Sequence, residues 1–505
     1  MPRRRWASIR GGFIAAAVLF PFFDVSAANL RVGLASFPPS RGNPFSNVTT
    51  TTTFVLANIY DSLVTADNDG HLVPALAERW EMRNPQTWVF HLRPGVVFSN
   101  GETWDAAGAK AVLDALRSDA GAGTTFARDF RRITAVTADA PMTLVIKTEA
   151  PNLLLPQHLM FVYFPAPAAL ARAGRLGLTA SPVGTGSFVV ERWDSARILL
   201  AANAASWRSP KIERLELLAL PEATAREQAL LSDRVDVMVA LNPDQIDAIE
   251  AAGHSVRQRR PQRITAMIFD TISQGSPFRD ARVRQALNFA VDRDAIARRL
   301  LAGRVAPASQ PAIATAIGFD PGLEPYPYDP ARARALLSAA GYPNGLAFTY
   351  EFAPGNLPND AAVVQQIAAD LAGIGVTMEV VTLTFAEYAR KVSQGGWRGF
   401  AWSMDYPGYF QDALKPFYGS VHSCEWHAPW YCEPQVEARV REAAESTDLD
   451  RRVKLTQGLM KYYRDIAQGL FLNPVLGLDG IGPRVQGWAP WGDNLMLHTV
   501  EVIKP

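Results

Sequence analysis

Strand-like and helix-like segments alternate along this chain, and this order constrains the fold more than any other feature. In the first half, apolar patterns predict strands from Asn29 (NLRVGLA), Ile198 (ILLAAN) and Ile212 (IERLELLAL). An Ala-rich helix is predicted around residues 224–231, and another strand (VDVMVAL) begins at Val235. Because strands and helices are interleaved rather than segregated, the sequence predicts a mixed α/β fold.

The second half repeats the same order of elements. Five apolar residues recur at helical spacing and predict one apolar helix face: Val283, Ala286, Leu287, Ala290 and Val291. Asp329 and Pro330 predict a helix start, as the cap and a first-turn proline, and Gly341 marks the helix end. A strand (TMEVVTL) follows from Thr377. Two such halves predict two lobes, and a crevice between lobes is a common ligand site.

A segment of about 120 residues, rich in short strands and turns, is inserted early in the chain. Strands are predicted from Trp88 (WVFHLR) and Met142 (MTLVIKT), with turn signals at 94–95 (Pro-Gly) and 100–101 (Asn-Gly). We therefore expect a strand-rich module in addition to the two lobes.

Size and charge exclude several classes of protein. At 505 residues the chain exceeds the usual size of one domain, and 48% hydrophobic with 20% charged residues argues against disorder. Fifty basic residues balance 49 acidic ones, so bulk electrostatics give no reason to expect a nucleic acid partner.

The first 27 residues have the pattern of a secretory signal. A basic head of four arginines comes first: Arg3, Arg4, Arg5 and Arg10. An apolar run over 13–23 and the small residues of Val25-Ser26-Ala27 follow. We expect cleavage near Ala27 and export of the mature chain, with an uncleaved anchor as the alternative.

The two cysteines stand close together in CEWHAPWYC, at Cys424 and Cys432. In an oxidising compartment such a pair is expected to form a disulfide. Because His422 and His427 lie within a few residues, a zinc or nickel site is the alternative.

The common local signatures of catalysis are missing from the sequence. GTGSF, from Gly184, places its serine one position late for a G-x-S-x-G elbow, and no H-E-x-x-H occurs. Since sites assembled from distant residues leave no local motif, an exported enzyme stays an alternative.

Four stretches carry a family resemblance. ALAERWEMRNPQTWVFHLRPGVVFSNGETWDA (75–106) has a tryptophan, a turn, a strand ending in Leu-Arg and then Phe-Ser-Asn-Gly. The others are PVGTGSFVVERW from Pro182, PFRDARVRQALNFAVDRDAI from Pro277 and YDPARARALLSAAGYPNG from Tyr328. Together they are similar to the extracellular solute-binding proteins of family 5, the peptide/nickel class that serves ABC importers.

The resemblance implies a two-lobed periplasmic binding protein type II fold, with an extra strand-rich domain inserted in the N-terminal lobe. Lobe I would comprise 28–61, 180–262 and 476–505, domain II would be 62–179, and lobe III would be 263–475. Ligand would bind between lobes I and III as they close about a hinge.

The resemblance also implies a site in WSMDYPGYF. In peptide binders of the family an Asp in a Trp-x-x-Asp-Tyr segment pairs with the ligand's α-ammonium, and Asp405 falls on that position. Trp402 and Tyr406 would supply flat walls and one hydroxyl. The family often continues Pro-Asp-Pro where this chain has Pro407-Gly408-Tyr409, which leaves the pocket shape and the ligand open.

The expected function is the periplasmic binding component of an ABC importer, capturing a peptide or similar amine-bearing solute. The expected partners are that solute and an inner-membrane permease, with no nucleic acid, no cofactor and no bound metal, and the chain is expected to be a monomer. The alternatives are a binder of nickel, a metal chelate or another small solute with the same fold, an exported enzyme, and a chaperone-like exported protein.

Overall fold

The computed structural model describes residues 29–38, 40–45, 50–67, 70–118, 130, 132–179, 182–355, 357–408, 411–418, 420–489 and 496–503. The predicted signal segment, 1–27, and its cleavage point near Ala27 lie outside the described residues. Among the helices of the described part, none combines the length and the apolar character needed to cross a membrane.

The strands fall into three larger sheets and two short ribbons. In chain order they are β1 (Asn29–Leu34), β2 (Val64–Ala66), β3 (Leu72–Pro74), β4 (Ala77–Asn84), β5 (Thr87–Leu92), β6 (Ile133–Ala140), β7 (Thr143–Thr148), β8 (Phe188–Trp193), β9 (Arg197–Ala202), β10 (Arg214–Ala219), β11 (Val237–Val239), β12 (Ser255–Arg259), β13 (Arg263–Phe269), β14 (Leu346–Phe352), β15 (Val376–Thr382), β16 (Ala401–Pro407), β17 (Gly469–Pro474), β18 (Gly477–Ile481), β19 (Val485–Gln486) and β20 (Glu501–Val502).

Helices are interleaved with these strands, as the sequence predicts. In chain order they are α1 (Thr50–Leu56), α2 (Ala106–Arg117), α3 (Leu155–Leu159), α4 (Pro167–Gly177), α5 (Ala223–Leu231), α6 (Ile246–Ala251), α7 (Ala281–Ala290), α8 (Arg293–Leu300), α9 (Pro330–Ala339), α10 (Asp360–Ala372), α11 (Phe385–Gln394), α12 (Pro434–Ala444) and α13 (Leu449–Asp465). Single 3₁₀ turns occur at Pro243–Gln245, Pro277–Arg279, Lys415–Phe417 and Leu497–Thr499.

The seven-stranded sheet has the order β12-β18-β11-β1-β10-β9-β8. Its central strands β10, β1 and β11 are parallel, and β18 runs antiparallel to both β11 and β12. Leu30 and Val32 of β1 are buried, with Leu215 and Leu217 of the neighbouring β10. The sheet is therefore assembled from stretches far apart in the sequence.

The five-stranded sheet has the order β15-β14-β16-β13-β17. Strands β15, β14 and β16 are parallel, whereas β13 runs antiparallel to β16 and β17. Helix α7 follows the predicted apolar face, since Val283, Ala286 and Leu287 are buried in the same core as β13 and β14.

The four-stranded sheet, β4-β5-β7-β6, is antiparallel throughout, which confirms the strand-rich character predicted for this segment. Helix α2 begins at Asp105, whose carboxylate accepts a hydrogen bond from the Gly108 amide, and it packs its apolar face on the sheet. All strands of each sheet lie within one of the three predicted domain ranges; the domain boundaries themselves stay a prediction.

Two glycines of the stretch PVGTGSFVVERW allow a close backbone approach. A Cβ atom on Gly184 or Gly186 would clash with the backbone of Ile59. The Gly186 amide donates to the Ile59 carbonyl at 3.0 Å, and the Phe188 amide donates to the Asn58 carbonyl at 2.9 Å. Because glycine has no side chain, this stretch can pack directly against the backbone that follows α1; the two glycines serve this packing rather than a phosphate-binding loop.

The predicted helix start at Asp329 is confirmed. Its carboxylate accepts a hydrogen bond from the Arg332 amide, Pro330 is the first residue of α9, and Gly341 follows the helix with φ 95°.

The predicted disulfide joins Cys424 to Cys432, whose Cα atoms are 4.7 Å apart. It closes a loop between the turn at Lys415–Phe417 and α12. Glu437 of α12 accepts a hydrogen bond from the Cys424 amide at 2.7 Å, so the loop is also held to the helix that follows it.

Replacing both cysteines with serine is expected to lower the free energy of unfolding by about 2–3 kcal/mol, because the denatured chain regains the entropy of an open loop. Urea unfolding of the native chain and of C424S/C432S measures this loss. A reductant should reproduce it in the native chain and leave the double variant unchanged; a loss below about 0.5 kcal/mol would contradict the role of the crosslink.

Candidate functional site

The chain crosses between the seven-stranded and five-stranded sheets twice, through very short connections. Residues 260–262 join β12 to β13, and residues 475–476 join β17 to β18. Segments of this length reach no more than about 15 Å, so the sheet edges that they join lie close together. Paired short crossings are the kind of hinge on which two lobes open and close.

Those facing edges are the carboxyl ends of the parallel strands. In the seven-stranded sheet, the parallel strands β1, β10 and β11 end at the same edge as β12, whose last residue precedes the connection 260–262. In the five-stranded sheet, the parallel strands β14, β15 and β16 end at the edge where β13 begins, directly after that connection. Ligands of open α/β sheets bind outside the carboxyl ends of the strands. The cleft between these two edges is therefore the candidate ligand site.

Asp405 lies at this edge, near the end of β16. Thr265 of β13 is directly opposite Asp405, and Arg263, two residues earlier, is its diagonal neighbour on the same face. The Arg263 Nη1 and Asp405 Oδ2 atoms are 2.8 Å apart, and the two side chains are 25% and 20% exposed. The structure thus places the predicted carboxylate at the cleft edge and gives it an arginine partner from its own sheet.

Tyr388, on α11, packs beside this ion pair. Its phenol donates a hydrogen bond to the Ser403 carbonyl at 2.9 Å. Burial, reinforced by the Asp405 carboxylate, raises the pKa of Tyr388, so the phenol stays protonated and serves as a donor. Helix α11 starts directly after β15 with a capping box between Thr384 and Glu387, which fixes the position of Tyr388 at the carboxyl edge.

Trp402 and Tyr406 lie on the opposite face of β16 from Asp405, because successive side chains of a strand alternate. Trp402 stacks on Trp397 with ring centroids 4.6 Å apart and meets Trp430 edge-on at 4.7 Å. Trp402 and Tyr406 are each 1% exposed. In this conformation the two rings contact protein on all sides, and their predicted role as ligand walls stays a prediction.

His422, one of the candidate metal ligands, is buried against Tyr406. Their ring centroids are 4.8 Å apart, and the Gln468 amide donates to His422 Nδ1 at 2.9 Å. The Tyr406 hydroxyl hydrogen-bonds to the same amide group. Within the described part of the chain, no three His, Cys, Asp or Glu side chains are grouped to hold a metal ion. His422 is therefore a member of a buried polar network.

Burial lowers the pKa of His422 to about 3, which makes stability depend on pH. The unfolded histidine binds a proton below about pH 6.5 and the folded one does not, so stability falls as the pH drops toward 3. Between pH 7 and pH 4.5 we expect His422 to account for about 2–3 kcal/mol of lost unfolding free energy.

Chemical denaturation of the native chain and of H422Q at both pH values tests this. Between pH 7 and pH 4.5, the native chain should lose about 2–3 kcal/mol more unfolding free energy than H422Q loses. His498, whose pKa burial lowers to about 4, titrates in both proteins and cancels in the comparison. An unchanged difference would show that His422 already carries a proton in the folded protein.

A second polar cluster, which we call the Asp412 cluster, consists of Asp412, Arg452, Tyr418 and His158. Asp412 accepts hydrogen bonds from Arg452 Nη2 at 2.9 Å and from the Tyr418 hydroxyl at 2.7 Å, and His158 Nε2 lies 3.8 Å away. His158 belongs to the segment that carries the four-stranded sheet, whereas the other three follow β16. The cluster therefore joins two modules of the fold.

Other contacts join the same two modules. Gln411 donates to the Gly70 carbonyl, and Arg132 Nη2 lies 3.3 Å from Glu445 Oε1. A cavity of about 370 Å³ is lined by Arg132 and Glu445 of this ion pair and by Lys415. Sequence reasoning missed Arg263, Tyr388 and these contacts, because their partners are distant in sequence and no local pattern marks them.

Comparisons with known proteins match nearly the whole chain. The sequence profile of the bacterial extracellular solute-binding proteins, family 5 middle, matches residues 71–423. A glutathione-binding protein of Pectobacterium atrosepticum is 26% identical over 466 residues, 88% of each chain. The heme-binding protein A of Haemophilus influenzae is 28% identical over 453 residues, 83% of this chain and 82% of the relative.

A solved structure shares the fold. The ABC transporter-associated periplasmic binding protein of Helicobacter pylori, in complex with the peptide STSA, superposes with a TM-score of 0.82 at 19% identity. The match covers 95% of this chain and 99% of that one. This likeness confirms the predicted two-lobed α/β fold.

Proposed function

The chain belongs to family 5 of the bacterial extracellular solute-binding proteins, and from this we propose that it captures an amine-bearing solute such as a peptide and delivers it to an ABC permease. Members of this family bind solutes rather than convert them. The solute would lie between the carboxyl edges of the seven-stranded and five-stranded sheets.

The observation that carries this proposal is the place of Asp405. Its carboxylate lies at the carboxyl edge of the five-stranded sheet, next to the hinge, and is one-fifth exposed. A carboxylate in such a cleft binds an ammonium through a charge-assisted hydrogen bond, which strengthens when the lobes close and water leaves.

The contacts between modules support closure as part of the mechanism. The Asp412 cluster and the Arg132–Glu445 ion pair join the module of the four-stranded sheet to the lobe of the five-stranded sheet. Such contacts would be lost if the two modules moved apart, so they would favour a closed form. The closed form is the one that a permease would receive.

We propose that the chain is exported to the periplasm after removal of residues 1–27 and acts there as a monomer. The disulfide supports an oxidising compartment, since such bonds persist there. The family's periplasmic members work in the same place with an inner-membrane permease.

Calorimetric titration with dipeptides and their N-acetylated counterparts tests the function. We expect saturable one-to-one binding of at least one free amine, and binding weaker by about 100-fold after acetylation, which removes the ammonium. Mass analysis after overnight incubation should recover the solute unchanged. Turnover to a product would favour an enzyme, and equal binding of the acetylated forms would exclude the amine as the recognised group.

A further inference from the structure

Ala240, directly after β11, has a left-handed backbone conformation that residues other than glycine rarely adopt. Its φ is 62°. Strand β11 lies between β1 and β18 in the seven-stranded sheet and ends at Val239, so Ala240 is the first residue of this segment at the cleft edge. Strained backbone of this kind is concentrated at functional sites, where the surrounding structure holds it in place.

Two side chains hold Ala240 from opposite ends of the residue. Its carbonyl accepts a hydrogen bond from Arg226 Nη2 at 2.9 Å, and its amide donates to Asp479 Oδ1 at 3.4 Å. Asp479 belongs to β18, which directly follows the hinge connection 475–476. This part of the cleft edge is therefore fastened to the strand that leads out of the hinge.

Arg226, on α5, links the ends of two strands. It is 4% exposed, and its Nη1 atom donates to the carbonyls of Leu220 and Pro221 at 2.7 Å each. These two residues follow β10, which lies on the other side of β1 from β11. A Cβ atom on Gly33 of β1 would lie 3.8 Å from Arg226 Cγ, so the side chain lies against the carboxyl-terminal part of β1. One guanidinium thus sets the spacing of the segments that leave β10 and β11.

The charge of Arg226 makes this arrangement costly. Its three hydrogen bonds all go to neutral carbonyls, and it forms no ion pair within the described residues. Burial lowers the pKa of Arg226, and the Glu222 carboxylate opposes this only in part. Burying a guanidinium without a counter-ion costs free energy. Because an apolar side chain would satisfy packing alone, the buried charge indicates that holding this edge is what Arg226 does.

We propose that Arg226 is a positioning residue for solute binding: it holds Ala240 in the left-handed conformation and so gives the lobe of the seven-stranded sheet the edge that contacts the solute. This inference rests on the proposed function, because it places the solute at this edge. Arg226 is buried and acts without touching the solute. Its effect on affinity is transmitted by the backbone at Ala240.

Three variants test transmission through this one backbone position. The probe is the free-amine dipeptide that the native chain binds most tightly in the titrations above. R226M removes the donors and keeps an unbranched side chain, and it should weaken binding by at least about 10-fold. A240G should bind within about 3-fold of the native chain. Because glycine adopts a φ of 62° without strain, R226M/A240G should recover to within about 3-fold of A240G.

R284M is the matched control. Arg284, on α7, is also 4% exposed, and it donates to the carbonyls of Ile466 and Ala467. These precede the start of β17, which lies at the sheet edge opposite the cleft. R284M should lose stability but keep affinity within about 3-fold. Thermal unfolding verifies that each variant is folded. If R226M is not, A240V tests the same position and should weaken binding, because a β-branched residue is excluded from the left-handed region.

Hydrogen exchange separates this inference from the proposed function, since it needs no solute. The amides of residues 238–242 should exchange at least about 10-fold faster in R226M than in the native chain, and R284M should leave them unchanged. Unchanged exchange in R226M, an unchanged affinity, or a loss that A240G does not recover overturns the role of Arg226, while dipeptide binding still supports solute capture. A native chain that binds no free-amine dipeptide contradicts the proposed function instead, and exchange then decides whether Arg226 holds this edge.

Discussion

Replacing Asp405 with Asn is expected to weaken binding of a free-amine solute by about 100- to 1,000-fold, or about 3–4 kcal/mol. The amide keeps the size of the side chain but removes the charge that faces the ammonium. The change also leaves Arg263 without the carboxylate 2.8 Å away, which adds a second cation near the solute. Both effects act in the same direction, and calorimetric titration measures them together.

Two controls make the result specific. E379Q removes a carboxylate from β15, which β14 separates from β16 in the same sheet. Glu379 accepts a hydrogen bond from the Thr349 hydroxyl, and the variant should leave affinity within about 3-fold. Against an N-acetylated solute, D405N should cost little, because the ammonium is already absent. A loss that is equal for both solutes would show that Asp405 acts on the fold and not on the amine.

Replacing Asp412 with Ala is expected to lower the free energy of unfolding by about 3–5 kcal/mol. Asp412 is fully buried and Arg452 is 2% exposed, so the variant leaves a buried guanidinium without its counter-charge. Burial opposes ionisation of Asp412, but Arg452, His158 and Tyr418 outweigh it and hold its pKa well below the usual range. The charged pair therefore contributes stability above the unfolded pKa of about 3.9, which is lost as the pH falls.

Urea unfolding at neutral pH tests this prediction. E442A is the matched control. Glu442 of α12 pairs at 2.8 Å with Arg451 of α13, the helix that also carries Arg452, and both side chains are exposed. The control should cost no more than about 1 kcal/mol. D412L/R452M, which removes both charges, should recover most of the loss. A D412A variant as stable as the control would contradict the role of the Asp412 cluster.

The fold could be predicted to a large extent because its signals are local. The alternation in WVFHLR corresponds to β5 (Thr87–Leu92), MTLVIKT to β7, and the cap at Asp329 to the start of α9. These patterns depend on residues only a few positions apart. The order of strands within each sheet was not predicted, since pairing across more than a hundred residues leaves no such pattern.

The candidate site could be predicted only in part, for the same physical reason. The resemblance points to Asp405, but the strand period places Trp402 and Tyr406 on the other face of β16, where they join the core. The Arg263–Asp405 pair joins residues 142 positions apart, and the contact between His158 and Asp412 spans a still longer separation. Only the folded chain brings these charges together.

Native mass spectrometry of the mature chain, purified from the periplasm without refolding, tests the central claim most directly. If the cleft captures an amine-bearing solute, the folded chain should carry one small-molecule adduct, which is lost on denaturation and is diminished in D405N. A chain that keeps its bare mass after incubation with millimolar free-amine solutes, or an adduct unaffected by D405N, would contradict the account.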